Sequence, residues 1–221
     1  MQCTMAIALA ALVGITMVSM TPLGARDEKA RTFKFRKEDV GKVPEGWKAE
    51  KTGRGEGSVW KVVEDNTAPS KSGYVLAQAA ESPSALFNTC IVVDSIYKDV
   101  ALSVDFKAVA GKNDQGGGFV WRYLDNNNYY VARMNPLEDN YRVYKVVAGK
   151  RTQLGTKEGI KVPTGEWHKL KVAAKGNKME GYLDGEKIWE ITDDTFKIGG
   201  LVGLWSKSDA QTHFDEFKAE D

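Results

Sequence analysis

Val100-Ala101-Leu102-Ser103-Val104-Asp105-Phe106-Lys107-Ala108 alternates apolar residues with small or charged ones. Successive side chains of an extended chain point to opposite faces, so this stretch buries one face and wets the other. Working outward, the same period of two recurs in Phe33 and Phe35, 58–64, 73–79, 87–93, 117–123, 129–135, 141–147, 167–174, 178–183, 187–191, 201–206 and 212–219. Helical periodicity is nearly absent. The separators carry turn chemistry: Asp125-Asn126-Asn127-Asn128, Ala148-Gly149-Lys150, Asp184-Gly185 and Gly199-Gly200. Asp-Gly between two such runs is a strong two-residue hairpin signal. About a dozen short strands with these turns predict an all-β fold, an antiparallel two-sheet jelly-roll sandwich.

Composition narrows the function classes. Lys and Arg number 31 against 30 Asp and Glu, and no basic run stands out, which argues against a nucleic-acid binder. Aromatic residues at 10% with nearly balanced charge argue against disorder. The long apolar stretch is Met5 to Met20, followed by Pro22-Leu23-Gly24-Ala25, and residues 1–25 contain no charged side chain. The stretch is shorter than the ~20 residues needed to span a bilayer. It reads as a secretory signal peptide cut after Ala25, although Met1 to Thr4 lack the usual basic residue. The expectation is a secreted or periplasmic protein with no membrane span in its mature form and one domain over residues 26–221. Cys90 then stands alone in a strand and reads as a buried structural thiol.

Three segments together resemble a known superfamily. The run Gly116-Gly117-Gly118-Phe119-Val120-Trp121-Arg122-Tyr123, with Asp125 through Tyr130 and Arg133, is similar to the central hairpin of concanavalin A-like lectins and glucanases. Glu166-Trp167-His168-Lys169-Leu170-Lys171-Val172 followed by Tyr182-Leu183-Asp184-Gly185 resembles the laminin-G-like Trp-His and Tyr-Leu-Asp-Gly signatures. Val202-Gly203-Leu204-Trp205 and Phe214-Asp215-Glu216-Phe217 resemble the last two strands. Within the superfamily the chain is most similar to bacterial secreted 3-keto-disaccharide hydrolase-like domains, and Gly46-Trp47 and Trp60-Lys61-Val62-Val63 fit that group. The resemblance covers nearly all of residues 32–219 and implies a jelly roll whose concave sheet carries a ligand groove. It also implies a structural calcium, with Asp215 at the matching carboxylate. Function does not follow from such a fold alone, which hosts lectins, adhesion modules, glucanases and lyases.

Family-16 glucanases place their carboxylates on a Glu-x-Asp-x-Glu strand, and no Glu-x-Asp occurs here. Neither His168 nor His213 has metal-ligand spacing around it, and no Gly-x-Ser-x-Gly elbow exists. Gly116-Gly117-Gly118 opens a strand rather than a helix, so it reads as a place of close backbone approach. Strand parity gathers Arg122, Arg133, Asn135 and Lys145 on the outer face of one sheet, with Gln115 and Glu138 at its ends. Phe119, Trp121, Tyr123, Tyr130, Ala132, Met134, Tyr144 and Val146 then face the core. Trp205, sharing parity with Lys207, offers an aromatic floor. Guanidinium and amide groups beside an indole suit a sugar: paired hydrogen bonds to vicinal hydroxyls, and an aromatic face for the C–H side of the ring.

Three readings follow. The first is a module that binds an oligosaccharide or polysaccharide without cleaving it. The second, implied by the resemblance, is an enzyme that cleaves 3-keto-glycosides by hydrolysis or elimination, with Glu138 or Asp114 as base and Arg133 as oxyanion stabiliser. The third is a structural or adhesive domain. The geometric discriminator is whether Arg122, Arg133, Asn135 and Trp205 converge in one concavity.

Overall fold

The alternating stretch around Val100 becomes β6 (Val100–Ala110), with Leu102, Val104 and Phe106 fully buried. The computed structural model describes residues 30–81 and 85–221; the expected signal peptide lies outside them. The other strands are β1 (Arg31–Phe33), β2 (Trp47–Thr52), β3 (Trp60–Glu64), β4 (Tyr74–Gln78), β5 (Phe87–Tyr97), β7 (Gly117–Asp125), β8 (Asn128–Asn135), β9 (Asn140–Val147), β10 (Lys150–Glu158), β11 (His168–Lys175), β12 (Lys178–Leu183), β13 (Glu186–Thr192), β14 (Gly200–Lys207) and β15 (Gln211–Glu220). One sheet runs β13-β12-β11-β6-β15-β4-β3, with β1 added to β15; the other runs β10-β9-β8-β7-β14-β5-β2. All these strand pairs are antiparallel. This is the expected jelly-roll sandwich. The Asp184-Gly185 turn takes φ of 49° and 88°, the left-handed pair that a type I′ hairpin requires.

The main core lies between the sheets. From the seven-stranded sheet it takes Cys90, Val92, Phe119, Trp121, Tyr130, Ala132, Met134, Tyr141, Val143, Val202 and Leu204. Burial drives the Cys90 thiol well above its ordinary pKa, which leaves it inert. The outer face of the same sheet carries a second buried cluster: Ile91, Val120, Tyr123, Tyr129, Val131, Tyr144, Val146 and Trp205.

That second cluster corrects two expectations of side-chain direction. Tyr144 and Val146 look outward, and Tyr141 and Val143 fill the core. Both faces of β9 are apolar because both are covered, so hydrophobicity alone could not mark the core side. Tyr123 also moves outward. The β7–β8 register shifts between Trp121 and Asp125, and Arg122 takes a φ of 45°. Such an irregularity re-aims every side chain beyond it.

Candidate functional site

Register places one row of side chains across the outer face of the seven-stranded sheet. Arg142 pairs with Arg133, Arg133 with Gly118, Gly118 with Trp205, and Trp205 with Thr89. Beside this row, the Arg133 guanidinium, 1% exposed, donates to Glu138 (2.8 Å), Asn140 (2.5 Å) and the Tyr144 hydroxyl (3.2 Å). Arg142 also donates to Glu138, at 2.8 Å. Asn135 Nδ2 bridges Asp114 (3.1 Å) and Glu138 (3.2 Å), and Lys207 reaches Asp114 at 3.1 Å. Eight expected or neighbouring side chains thus form one continuous polar network.

The network is held from below. The Asp209 carboxylate accepts the backbone N–H groups of Lys112, Asn113 and Asp114, fixing the approach to β7. Burial raises its pKa, but those three donors outweigh it and leave the carboxyl below its ordinary range. Asp114 in turn accepts Gly116 N–H at 2.7 Å. A Cβ on Gly116 would stand 2.8 Å from Asp114 Oδ1 and 3.2 Å from Arg133 Cδ. Only glycine lets the carboxylate and the arginine close over this point.

Electrostatics set what the carboxylates can do. Burial pushes Glu138 up, yet Arg133, Asn140 and Arg142 more than offset it, so Glu138 sits below the usual carboxylate range. An ionised group held by two guanidiniums is a hydrogen-bond acceptor and a weak base. Asp114 is 1% exposed and already accepts from Gly116, Asn135 and Lys207.

The remaining expected residues go elsewhere. Arg122 is 2% exposed and turns to the end of the sandwich, donating to the carbonyls of Lys98 (2.9 Å), Phe196 (2.8 Å) and Gly176 (2.6 Å). The register shift after Trp121 is the cause. Lys145 pairs with Tyr130 on the inner side and binds Asp193 and Thr195, both at 2.8 Å. Gln115 turns away to Gly111 and Thr164. Trp205 lies on the expected face but is fully buried under Phe87, whose ring centroid is 5.5 Å away. It is part of the wall and offers no free floor. Arg122 and Lys145 are therefore removed from the shared patch, and Arg133, Asn135, Glu138 and Asp114 stay.

Sequence reasoning missed Arg142, Lys207's pairing and Arg151. Arg151 projects from β10, a polar edge strand without apolar alternation. Its one signal was the Ala148-Gly149-Lys150 turn, which demands a returning strand.

The residues implied for calcium do not fit it. Asp215 accepts the N–H groups of Ser70 (2.8 Å) and Glu216 (2.9 Å), so both its oxygens face donors. The adjoining cavity, about 220 Å³, is lined by Lys34 and Arg36 as well as Ser70, Ser72 and Glu216. Calcium takes roughly six to eight oxygen ligands. Among the described residues no group of three or more His, Cys, Asp or Glu is poised for a metal.

Structural comparison places this sandwich among known ones. The carbohydrate-binding module CBM66 from Bacillus subtilis superposes with a TM-score of 0.64 at 18% identity, covering 80% of this chain and 96% of that one. Domain 4 of AbnA, an extracellular arabinanase from Geobacillus stearothermophilus, solved with arabinotriose, gives 0.56 at 14% identity over 88% and 94%. A mixed-linkage-glucan family-16 protein from Bacteroides ovatus, solved with a product, gives 0.56 at 11% identity over 82% and 97%. These likenesses establish the fold. Among curated proteins none matches the chain. The sequence model of one family matches residues 38–218, a span that holds the whole polar network, and the chain therefore belongs to the 3-keto-alpha-glucoside-1,2-lyase-like domain family.

Proposed function

We propose that the protein is a secreted or periplasmic carbohydrate-binding β-sandwich whose sugar sits at the polar end of the outer face of the seven-stranded sheet. The carrying observation is the convergence there of Arg133, Asn135, Asp114, Glu138, Arg142 and Lys207 within hydrogen-bond distance of one another. A sugar presents alternating donors and acceptors, and this network offers both at fixed spacing. Three superposed sandwiches support the reading, since one is a carbohydrate-binding module and two were solved with sugars. Secretion rests on the apolar Met5–Met20 stretch. Calorimetric titration with arabino-, gluco- and xylo-oligosaccharides tests the proposal. Binding that disappears in Arg133→Gln supports it, and no heat from any sugar at millimolar concentration contradicts it.

A second reading is favoured by the family match. A 3-keto group acidifies the neighbouring C2–H. Removal of that proton and expulsion of the C1 oxygen yield an enone and a free alcohol. In this reading Arg133 is the group that stabilises the enolate oxygen. The base is harder to supply, because both candidate carboxylates are engaged by cations and amides. Incubation with a 3-keto-α-glucoside decides: steady release of the alcohol supports a lyase, and a flat time course with divalent metal present rejects it.

A further inference from the structure

Three cations beside the polar network have carboxylates. Arg133 pairs with Glu138, Arg142 with Glu138 and Glu158, and Lys207 with Asp114. The fourth, Arg151, has no ion pair among the described residues, and its Nη1 is buried with no hydrogen-bond partner. It is packed instead among aromatic rings, with Cζ 4.4 Å from the Tyr144 centroid, 4.9 Å from Phe87 and 5.9 Å from Trp205. Ring faces attract a guanidinium but leave its N–H groups unsatisfied.

Arg133 approaches the same tyrosine. Its Cζ is 5.8 Å from the Tyr144 centroid, and its Nε is likewise buried without a partner. Two guanidiniums thus share one ring, each with an orphaned N–H. Burial and the nearby Arg133 together hold the Arg151 pKa below its usual value, although Tyr144, Asp114 and Glu138 act the other way. A half-buried cation beside a second one is a costly arrangement in the absence of a counter-anion.

We propose that Arg151 and Arg133 form a carboxylate subsite, so that the sugar recognised on this face carries a uronic acid. The inference rests on the sugar-binding reading above. A planar carboxylate supplies the counter-anion that the half-buried Arg151 guanidinium lacks, beside Arg133 on the shared Tyr144 ring, while the pyranose lies over the neighbouring polar network. A sulfate ester also offers paired oxygens to a guanidinium fork, so it forms a separate arm of the test.

The test compares matched ligands by calorimetry: oligogalacturonides, alginate oligomers and glucuronoxylan oligomers, each against its methyl-esterified or carboxyl-reduced form. The expected result is binding of at least one acid form about tenfold or more tighter than its neutral counterpart, a gain that weakens at high salt. Arg151→Gln should remove that gain, bringing the acid form's affinity down to that of its neutral counterpart; Arg151→Lys should restore part of it. Neutral oligosaccharides bound as well as every acid form would overturn the carboxylate subsite and leave the sugar reading standing. No binding of either kind overturns both. Preference for sulfated over carboxylated oligomers also overturns the uronic-acid assignment. Should Arg151→Gln fail to fold, the wild-type comparison of acid and ester decides alone.

Discussion

The hydroxyls of Thr52 on β2 and Tyr129 on β8 lie 2.7 Å apart, although β5, β14 and β7 separate their strands in the sheet. In a flat sheet four strand spacings amount to ~19 Å. The seven-stranded sheet therefore curls until its opposite halves touch. The same curl brings Arg151 of β10 over Trp205 of β14. The concave face is thus divided: one end is filled by the aromatic cluster, and the other holds the polar network. Burial there pushes the Tyr129 phenol up to about 12.

Thr52→Val tests the closure. It removes the Tyr129 partner without changing shape much, and leaves a buried hydroxyl unsatisfied. The expected loss is about 1–2 kcal/mol of unfolding free energy, read by urea denaturation.

Gly116→Ala tests the support beneath the network. The new methyl meets Asp114 Oδ1 and Arg133 Cδ below normal contact distance. Overpacking of this kind costs roughly 1–3 kcal/mol. Affinity should fall by about tenfold, because both groups must shift within the site. A calorimetric titration beside a thermal melt separates the two effects.

Arg122 should behave oppositely. Its guanidinium satisfies three carbonyls at the end of the sandwich. Arg122→Lys lacks the fork to reach them together and should cost about 2–4 kcal/mol. The folded fraction should bind sugar with unchanged affinity. Loss of binding in a stable, folded Arg122→Lys protein would return Arg122 to the site.

The opposite sheet carries a pH-dependent clasp. Asp65 accepts from Lys107 and, at 2.7 Å, from His213 Nδ1, while Thr67 joins Lys107 and the Trp167 indole at 2.9 Å. Burial lowers the His213 pKa below its ordinary 6.5, with Asp65 opposing and Lys107 reinforcing. Burial raises Asp65, but Lys107, Thr67 and His213 outweigh it and leave it well below 3.8. Both folded pKa values are depressed, so the unfolded chain binds more protons in each range. Stability is full above pH 6.5 and falls as pH drops through His213's titration. It falls again below pH 3.8 as Asp65 protonates. His213→Gln should flatten the slope between pH 7 and 5, measured by denaturation at a series of pH values.

The strands were legible wherever one face was dry and the other wet. β6, β12 and the Asp184-Gly185 hairpin follow that rule closely. β2 and β10 escaped notice because they are edge strands, and edges carry charged residues that blunt alternation. Missing β10 meant missing Arg151. The site was legible in Arg133 and Asn135, whose strand keeps a regular register. It was illegible at Arg122 and Lys145. A local register shift is not written in residue pattern, and β9 is apolar on both faces.

The most direct measurement is amide chemical-shift mapping of the ¹⁵N-labelled protein during titration with acidic and neutral oligosaccharides. The account predicts shifts centred on Gly116, Arg133, Asn135, Glu138 and Arg142. Shifts centred instead on the His213 and Lys107 face, or no shifts with any sugar, would contradict it.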